Sequence, residues 1–147
     1  ESSDIIHALS NYRPDNSRSQ FLRKGTNKII LDAYNANPTS MEMAIDNFVK
    51  MPDENKVLIL GDMLELGSFS RDEHQKLLKK IRENIFLKVF LVGEILQSLT
   101  QSDQYHAFKN VHELIEHLTD SPVKESLILI KGSRGMTLEK VLEHLNN

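Results

Sequence analysis

Four short stretches hold the residue types that can do chemistry, and each comes directly after an apolar run. Asp32-Ala33-Tyr34-Asn35-Ala36-Asn37-Pro38 follows Ile29-Ile30-Leu31. Gly61-Asp62-Met63-Leu64-Glu65-Leu66-Gly67 follows Val57 to Leu60, and Gly93-Glu94 follows Val89 to Val92. Lys131-Gly132-Ser133-Arg134-Gly135-Met136 follows Leu127 to Ile130. All four contain charged groups. Three contain glycine, which lets a backbone turn sharply or come close to a ligand. The charges suit a polar ligand bearing phosphate or carboxylate. Arg134 can grip a carboxylate with two parallel hydrogen bonds, and Lys131 can act as a point charge. Asp62 and Glu65 are carboxylates that suit an amine or a metal.

Each of these residues also has a plainer reading. Asp32 can brace its own turn, and Asn37 reads as a helix cap that touches no ligand. Lys131 and Arg134 can form a solvated charged loop. The six histidines (His7, His74, His106, His112, His117, His144) are scattered, and His112 and His117 are spaced wrongly for one helical face. Surface or core packing is expected for most of them, with no metal site. Met41, Met43 and Met51 read as core filling. There is no Gly-x4-Gly-Lys-Ser/Thr loop to cradle phosphates and no Gly-x-Gly-x-x-Gly dinucleotide turn. There is also no Gly-x-Ser-x-Gly nucleophile elbow. No nucleophile, base and orienting group can be assembled, so the chain by itself lacks the parts of a catalyst.

The elements that must position these loops follow from periodicity. Three of the apolar runs are four residues long and continuous rather than alternating, as strands buried on both faces of a parallel sheet are. Each of the four runs is followed by a helix-like segment, which predicts an α/β layered fold. In such a sheet, ligands bind beyond the carboxyl ends of the strands, where the four loops fall. Asn37-Pro38 predicts a helix start, with Met41, Ala44, Ile45 and Phe48 at helical spacing behind it. Ser70-Arg71-Asp72-Glu73 has the capping-box pattern and predicts a helix to about Asn84. Asn110, with Glu113 three residues on, predicts another, ending near Leu118. A last helix is expected from about Met136 to Leu145, burying Leu138, Val141, Leu142 and Leu145. Lys24-Gly25-Thr26-Asn27-Lys28 reads as a β-hairpin turn. Residues Asp4 to Tyr12 look helical, and Arg13 to Ser19 look like a linker.

The 147 residues fit one domain. With 39% apolar and 27% charged residues and a net charge of −3, the composition is that of an ordinary globular chain. No basic stripe suggests nucleic acid, and no apolar run approaches the ~20 residues of a membrane span. The absence of cysteine removes any disulfide framework, thiolate zinc site or cysteine nucleophile. The chain begins without Met and in mid-pattern, as a cut inside a longer protein would.

Four stretches together resemble one family: Asn16-Ser17-Arg18-Ser19-Gln20, Asp32 to Ser40, Leu60 to Gly67 and Lys131 to Met136. They are similar to the C-terminal domain of the Mur ligases. Asp32 to Pro38 and Leu60 to Gly67 resemble the branch that joins D-alanyl-D-alanine to UDP-N-acetylmuramoyl-tripeptide in peptidoglycan precursor synthesis. His74 sits where that branch usually has a histidine. The resemblance implies a Rossmann-like three-layer sandwich. Its mostly parallel sheet would have about six strands, with an N-terminal hairpin, and helices on its faces. It also implies a division: residues 1–15 as the tail of a central ATPase domain and linker, and residues 16–147 as the C-terminal domain. The family uses ATP and Mg2+, both bound mainly by the central domain. ATP phosphorylates the tripeptide carboxylate, the dipeptide amine attacks the acyl phosphate, and phosphate leaves. Closure of the C-terminal domain would align the reactants, with Arg13 to Ser19 as the hinge. Carried onto this sequence, Arg18, Asp32, Tyr34 and Asn35 would meet the ribose and adenine side of the nucleotide. Asn35 stands where wider relatives have histidine. Lys131, Ser133 and Arg134 would bind the dipeptide near its carboxylate, and Asp62 and Glu65 would meet its ammonium. The expected partners are the two substrates and the N-terminal and central domains of the same polypeptide. The expected setting is a monomer in the bacterial cytoplasm, with no nucleic acid or membrane contact.

Two other readings stay open from the residues. One is a stand-alone α/β nucleotide-binding or signalling module, flavodoxin-like or receiver-like, with Asp62 as a phosphoacceptor. The other is a non-catalytic interaction domain.

Overall fold

The computed structural model describes residues 19–100 and 105–147. The helix expected over Asp4 to Tyr12, nearly all of the linker, and Arg18 lie outside the described residues. Six strands form one sheet: β1 (Gln20–Lys24), β2 (Asn27–Asp32), β3 (Lys56–Gly61), β4 (Lys88–Val92), β5 (His106–Phe108) and β6 (Leu127–Lys131). Among the described residues, four α-helices accompany them: α1 (Pro38–Val49), α2 (Ser70–Arg82), α3 (Glu94–Leu99) and α4 (Val111–Asp120). The strand order is β1-β2-β6-β3-β4-β5. β1 pairs antiparallel with β2 through the hairpin, and every other pairing is parallel. The mostly parallel α/β sandwich with an N-terminal hairpin is therefore the fold observed.

The direction of winding decides which face each helix covers. From β2 the chain steps outward through β3, β4 and β5, and α1, α2 and α3 are laid down on one face. From β5 it returns across the sheet to insert β6 between β2 and β3. Right-handed crossovers require the returning helix, α4, to lie on the other face. The two cores match this. Met41, Ile45 and Phe48 of α1, Leu77 and Ile81 of α2, and Leu96 of α3 pack with Ile30, Leu58, Leu91 and Leu129. Val111, Leu114 and Leu118 of α4 pack with Ile29, Ile59, Phe90 and Ile130. Alternate residues of each strand serve opposite cores, so the apolar runs are continuous in sequence.

Two of the expected helix starts carry the expected caps, and a third, at Ser70, begins where expected but without its cap. Asn37 caps α1 through a bond from the Ser40 N–H at 2.9 Å, and Ser40 Oγ returns a bond from the Asn37 N–H at 3.1 Å. Asn110 caps α4 through the Glu113 N–H at 3.1 Å, and that helix runs two residues past Leu118. The capping box expected at Ser70 does not form. A 3-10 turn (Gly67–Phe69) leads straight into α2, so Ser70 is already inside the helix and its oxygens face His74. The C-terminal segment is also not the α-helix expected. It forms 3-10 turns over Arg134–Met136 and Leu138–His144, separated by Thr137 at φ 52°. The tighter winding brings Leu138 and Val141 onto the sheet face, and Leu145 follows, while Leu142 is only half buried.

Strand β5 has no apolar run to mark it. Its residues surround a ring cluster instead. Phe90 sits 5.4 Å from His106 and 5.6 Å from His117, and the two histidine rings are 5.0 Å apart. Burial pushes the His117 imidazole below its usual value. His106 and Lys88 push the same way, and Asp120 opposes them. The unfolded chain therefore takes up this proton near pH 6.5, and the folded chain only at lower pH. The stabilising contribution is fully present above about pH 6.5 and is lost as the pH falls from there through the folded value. The melting temperature of the wild-type chain is expected to drop more between pH 7.5 and 5.5 than that of His117→Phe. Parallel curves for the two proteins would refute this.

Candidate functional site

Asp32 and Lys131 are the last residues of neighbouring parallel strands and face each other in register. Lys131 Nζ lies 2.6 Å from Asp32 Oδ2, and both side chains are buried, at 0% and 1% exposure. The same ammonium donates to the Asn35 carbonyl at 3.2 Å. A charge removed from water needs such a partner and further hydrogen bonds. The solvated-loop reading therefore fails for Lys131. Arg134 is exposed, and its guanidinium lies over the Tyr34 ring at 5.1 Å, with Nη1 3.4 Å from the Tyr34 hydroxyl. The β2–α1 and β6 loops are thus joined twice, by a buried ion pair and by a surface cation–π contact.

The β3–α2 loop is fastened to the same strand. Ser133 Oγ accepts from the Leu64 N–H at 2.8 Å, and the Ser133 N–H donates to the Asp62 carbonyl at 3.3 Å. The strand ends approach closely here, since a Cβ on Gly132 would stand 3.0 Å from Gly61 Cα. From the other side, buried His74 Nε2 accepts from the Met63 N–H at 3.0 Å, which leaves Nδ1 to donate to the Ser70 carbonyl at 2.6 Å. This bonding pattern assigns the Nδ1–H tautomer. His74 is thus a core histidine that holds a loop.

Asp62 points away from the β6 loop and toward the neighbouring β4–α3 loop. Its two oxygens accept from the Ile95 and Leu96 N–H groups at 3.0 and 2.9 Å, which caps α3. Gly93, at φ 129°, makes room for it, since a Cβ there would overlap the carboxylate. A phosphoacceptor needs a free carboxylate, so the receiver-like reading of Asp62 has no support. Glu65 stands exposed nearby, at φ 66°. The surface of the edge is formed by Tyr34, Asn35, Glu65 and Arg134, together with two apolar side chains outside the expected site, Leu64 at 39% and Phe69 at 70% exposure. The signal for Phe69 was an aromatic placed among Gly67, Ser68 and Ser70, a poor position for core. Among the described residues, no group of three or more His, Cys, Asp or Glu is arranged to hold a metal ion.

Fold and site define a doubly wound α/β domain with its polar loops gathered at the strand carboxyl ends. The model of the Mur ligase, glutamate ligase domain matches residues 17–134, and the chain belongs to the Mur ligase family. The UDP-N-acetylmuramoyl-tripeptide--D-alanyl-D-alanine ligase of Rickettsia prowazekii is 40% identical over 131 residues, covering 86% of this chain and 29% of that protein. The corresponding ligase of Bacillus subtilis is 30% identical, covering 97% of this chain and 33% of its own length. A crystal structure of MurF from Acinetobacter baumannii superposes with a TM-score of 0.75 at 30% identity, over 97% of this chain and 32% of that one. The chain thus spans about a third of the length of these relatives and corresponds to their C-terminal domain.

Removing the Asp62 carboxylate leaves two backbone donors of α3 unpaired. Asp62→Ala is expected to cost about 1–3 kcal/mol of stability in urea titration. Asp62→Asn, which keeps one acceptor, should cost less. Equal losses for the two variants would count against the capping role.

Proposed function

We propose that this chain is the C-terminal domain of an ATP-dependent ligase that joins D-alanyl-D-alanine to UDP-N-acetylmuramoyl-tripeptide. The observation that carries the reading is the meeting of two loops, Asp32 to Pro38 and Lys131 to Met136, at one crevice. The first bears that branch's motif and the second one of the stretches that resemble the family, and the crevice lies where the winding of the sheet reverses, the usual ligand position in such sheets. The identity to D-Ala-D-Ala-adding ligases supports the branch.

In this reading Tyr34 and Asn35 present the ribose and adenine side of ATP with a surface, and Asp32 at the buried root of the same loop supplies the carboxylate. Arg18, outside the described residues, would join them. Arg134, with Ser133 beside it, meets the dipeptide carboxylate, and Glu65 meets its ammonium. Asp62, expected beside Glu65, serves through the loop it stabilises. Phosphate and Mg2+ binding belong to the preceding domains, since this sequence has no phosphate-cradling loop. Residues 1–15 would connect to those domains, and residues 13–19 would act as the hinge. Closure would bring amine and acyl phosphate together and exclude water, which would otherwise hydrolyse the intermediate. The exposed Leu64 and Phe69 suit a surface that becomes covered on closure. The setting would be the bacterial cytoplasm, with the polypeptide acting as a monomer.

The pure domain is expected to show no ATP turnover, and joining it to its preceding domains should give ligation. In that longer protein, Asp32→Ala should raise the KM for ATP about tenfold or more, as loss of a positioned charged hydrogen-bonding group does. An ATPase rate from the isolated domain, or an unchanged KM for ATP in Asp32→Ala, would sink the proposal.

A further inference from the structure

We infer that Lys131 is a positioning residue for the nucleotide loop, acting through Asp32 and Asn35, and does not contact the dipeptide. The inference deepens the proposed function and rests on its assignment of the Asp32 to Asn35 loop to ATP. A lysine with 0% of its side chain exposed is rare, and here it lies among the largest fully buried side chains of the domain. Its position follows from the fold. It is the terminal residue of β6, which is flanked on both sides by parallel strands and paired in register with Asp32 and with Leu60. Its stem therefore starts from a rigid, fully paired part of the sheet.

The head group makes two bonds to one loop. It holds the carboxylate of Asp32, the residue where β2 ends, at 2.6 Å, and the carbonyl of Asn35, three residues on, at 3.2 Å. One ammonium thus ties the root of the loop to its exposed part and fixes the backbone between them, which carries Tyr34 and Asn35. Lysine suits this task because its head is compact and carries three donors on a long stem, so it can bridge a carboxylate and a carbonyl. A neighbouring residue of the same strand end reaches the other way: Ser133 fastens Leu64 of the β3–α2 loop. Arg134, the other cation of this stretch, is exposed at the surface with its guanidinium over the Tyr34 ring. The charge of Lys131 is therefore used within the nucleotide loop.

The test uses the full-length ligase and measures KM for ATP and for D-alanyl-D-alanine separately. Lys131→Met is expected to raise the KM for ATP by on the order of ten- to a hundredfold, the scale of a misplaced binding group, with the dipeptide KM unchanged within about twofold. Combined with Asp32→Asn, it should add little to the effect of Asp32→Asn alone, because both changes disable one unit. If Lys131→Met does not fold, Lys131→Arg is measured instead, since its broader planar head cannot occupy the same point between Asp32 and Asn35. A raised dipeptide KM with an unchanged KM for ATP overturns the inference in favour of direct substrate contact. A lower melting temperature with both KM values unchanged overturns it in favour of a purely structural ion pair. Full additivity with Asp32→Asn overturns the route through Asp32. If Asp32→Asn and Asp32→Ala both leave the KM for ATP unchanged, the assignment of this loop to ATP has failed, whatever Lys131 does.

Discussion

Everything at the strand-end edge depends on one topological constraint: β6 lies between β2 and β3. A parallel strand can take that place only if the chain crosses back from β5 over β4 and β3, and it does so on the face that α1, α2 and α3 leave open. The loop leaving β6 then turns to the opposite face from the loops leaving both of its neighbours. Two crevices open at once, one on each side of β6. Asp32 and Lys131 line up at the first because the register between β2 and β6 brings them level. Ser133 and the backbone of Asp62 to Leu64 meet at the second.

The edge has two layers with different physics. Underneath, Asp32, Lys131, Asp62, His74 and Ser133 are buried, and each makes bonds within the chain. Buried polar groups of this kind are costly unless satisfied, and satisfied they define one arrangement of the loops. Above them, Tyr34, Asn35, Glu65 and Arg134 are exposed, with Arg134 lying over Tyr34. Charge alone does not separate the layers. Lys131 and Arg134, three residues apart, are both cations in one glycine-containing loop, yet one is fully buried and the other exposed.

Much of this was legible in the sequence and some of it was not. The continuous apolar runs announced the buried parallel strands, and Asn37 and Asn110 announced their helices, because these signals are local. The four strand-end loops were legible as a group, because a parallel sheet sends them all to one edge. Strand β5 was not, since His106-Ala107-Phe108 is three residues long at the edge of the sheet and needs no apolar run. The Ser70 capping pattern misled because the preceding 3-10 turn leaves no non-helical residue for it to cap. The buried bonds of Lys131 and Asp62 were not legible either, because each depends on a partner brought close by the fold: Asp32 for one, and the start of α3 for the other. The same holds for Asn27. It reads as a turn residue, but it is fully buried and joins the start of β2 to the carbonyls of Val123 and Leu145 and to the Ser126 N–H.

The central place of β6 also has a consequence for how the chain is made. A ribosome delivers β2, β3 and β4 well before residues 127 to 131 emerge, and until then β2 and β3 have no strand between them. The nascent chain must hold two unsatisfied strand edges, both rich in leucine and isoleucine, through most of its synthesis. Such edges invite mispairing with each other or with another chain. The early helices α1 and α2, which are formed from local contacts, can cover one apolar face meanwhile. Folding of this domain is therefore expected to be a late, all-at-once event on the ribosome, set by the arrival of its final strand.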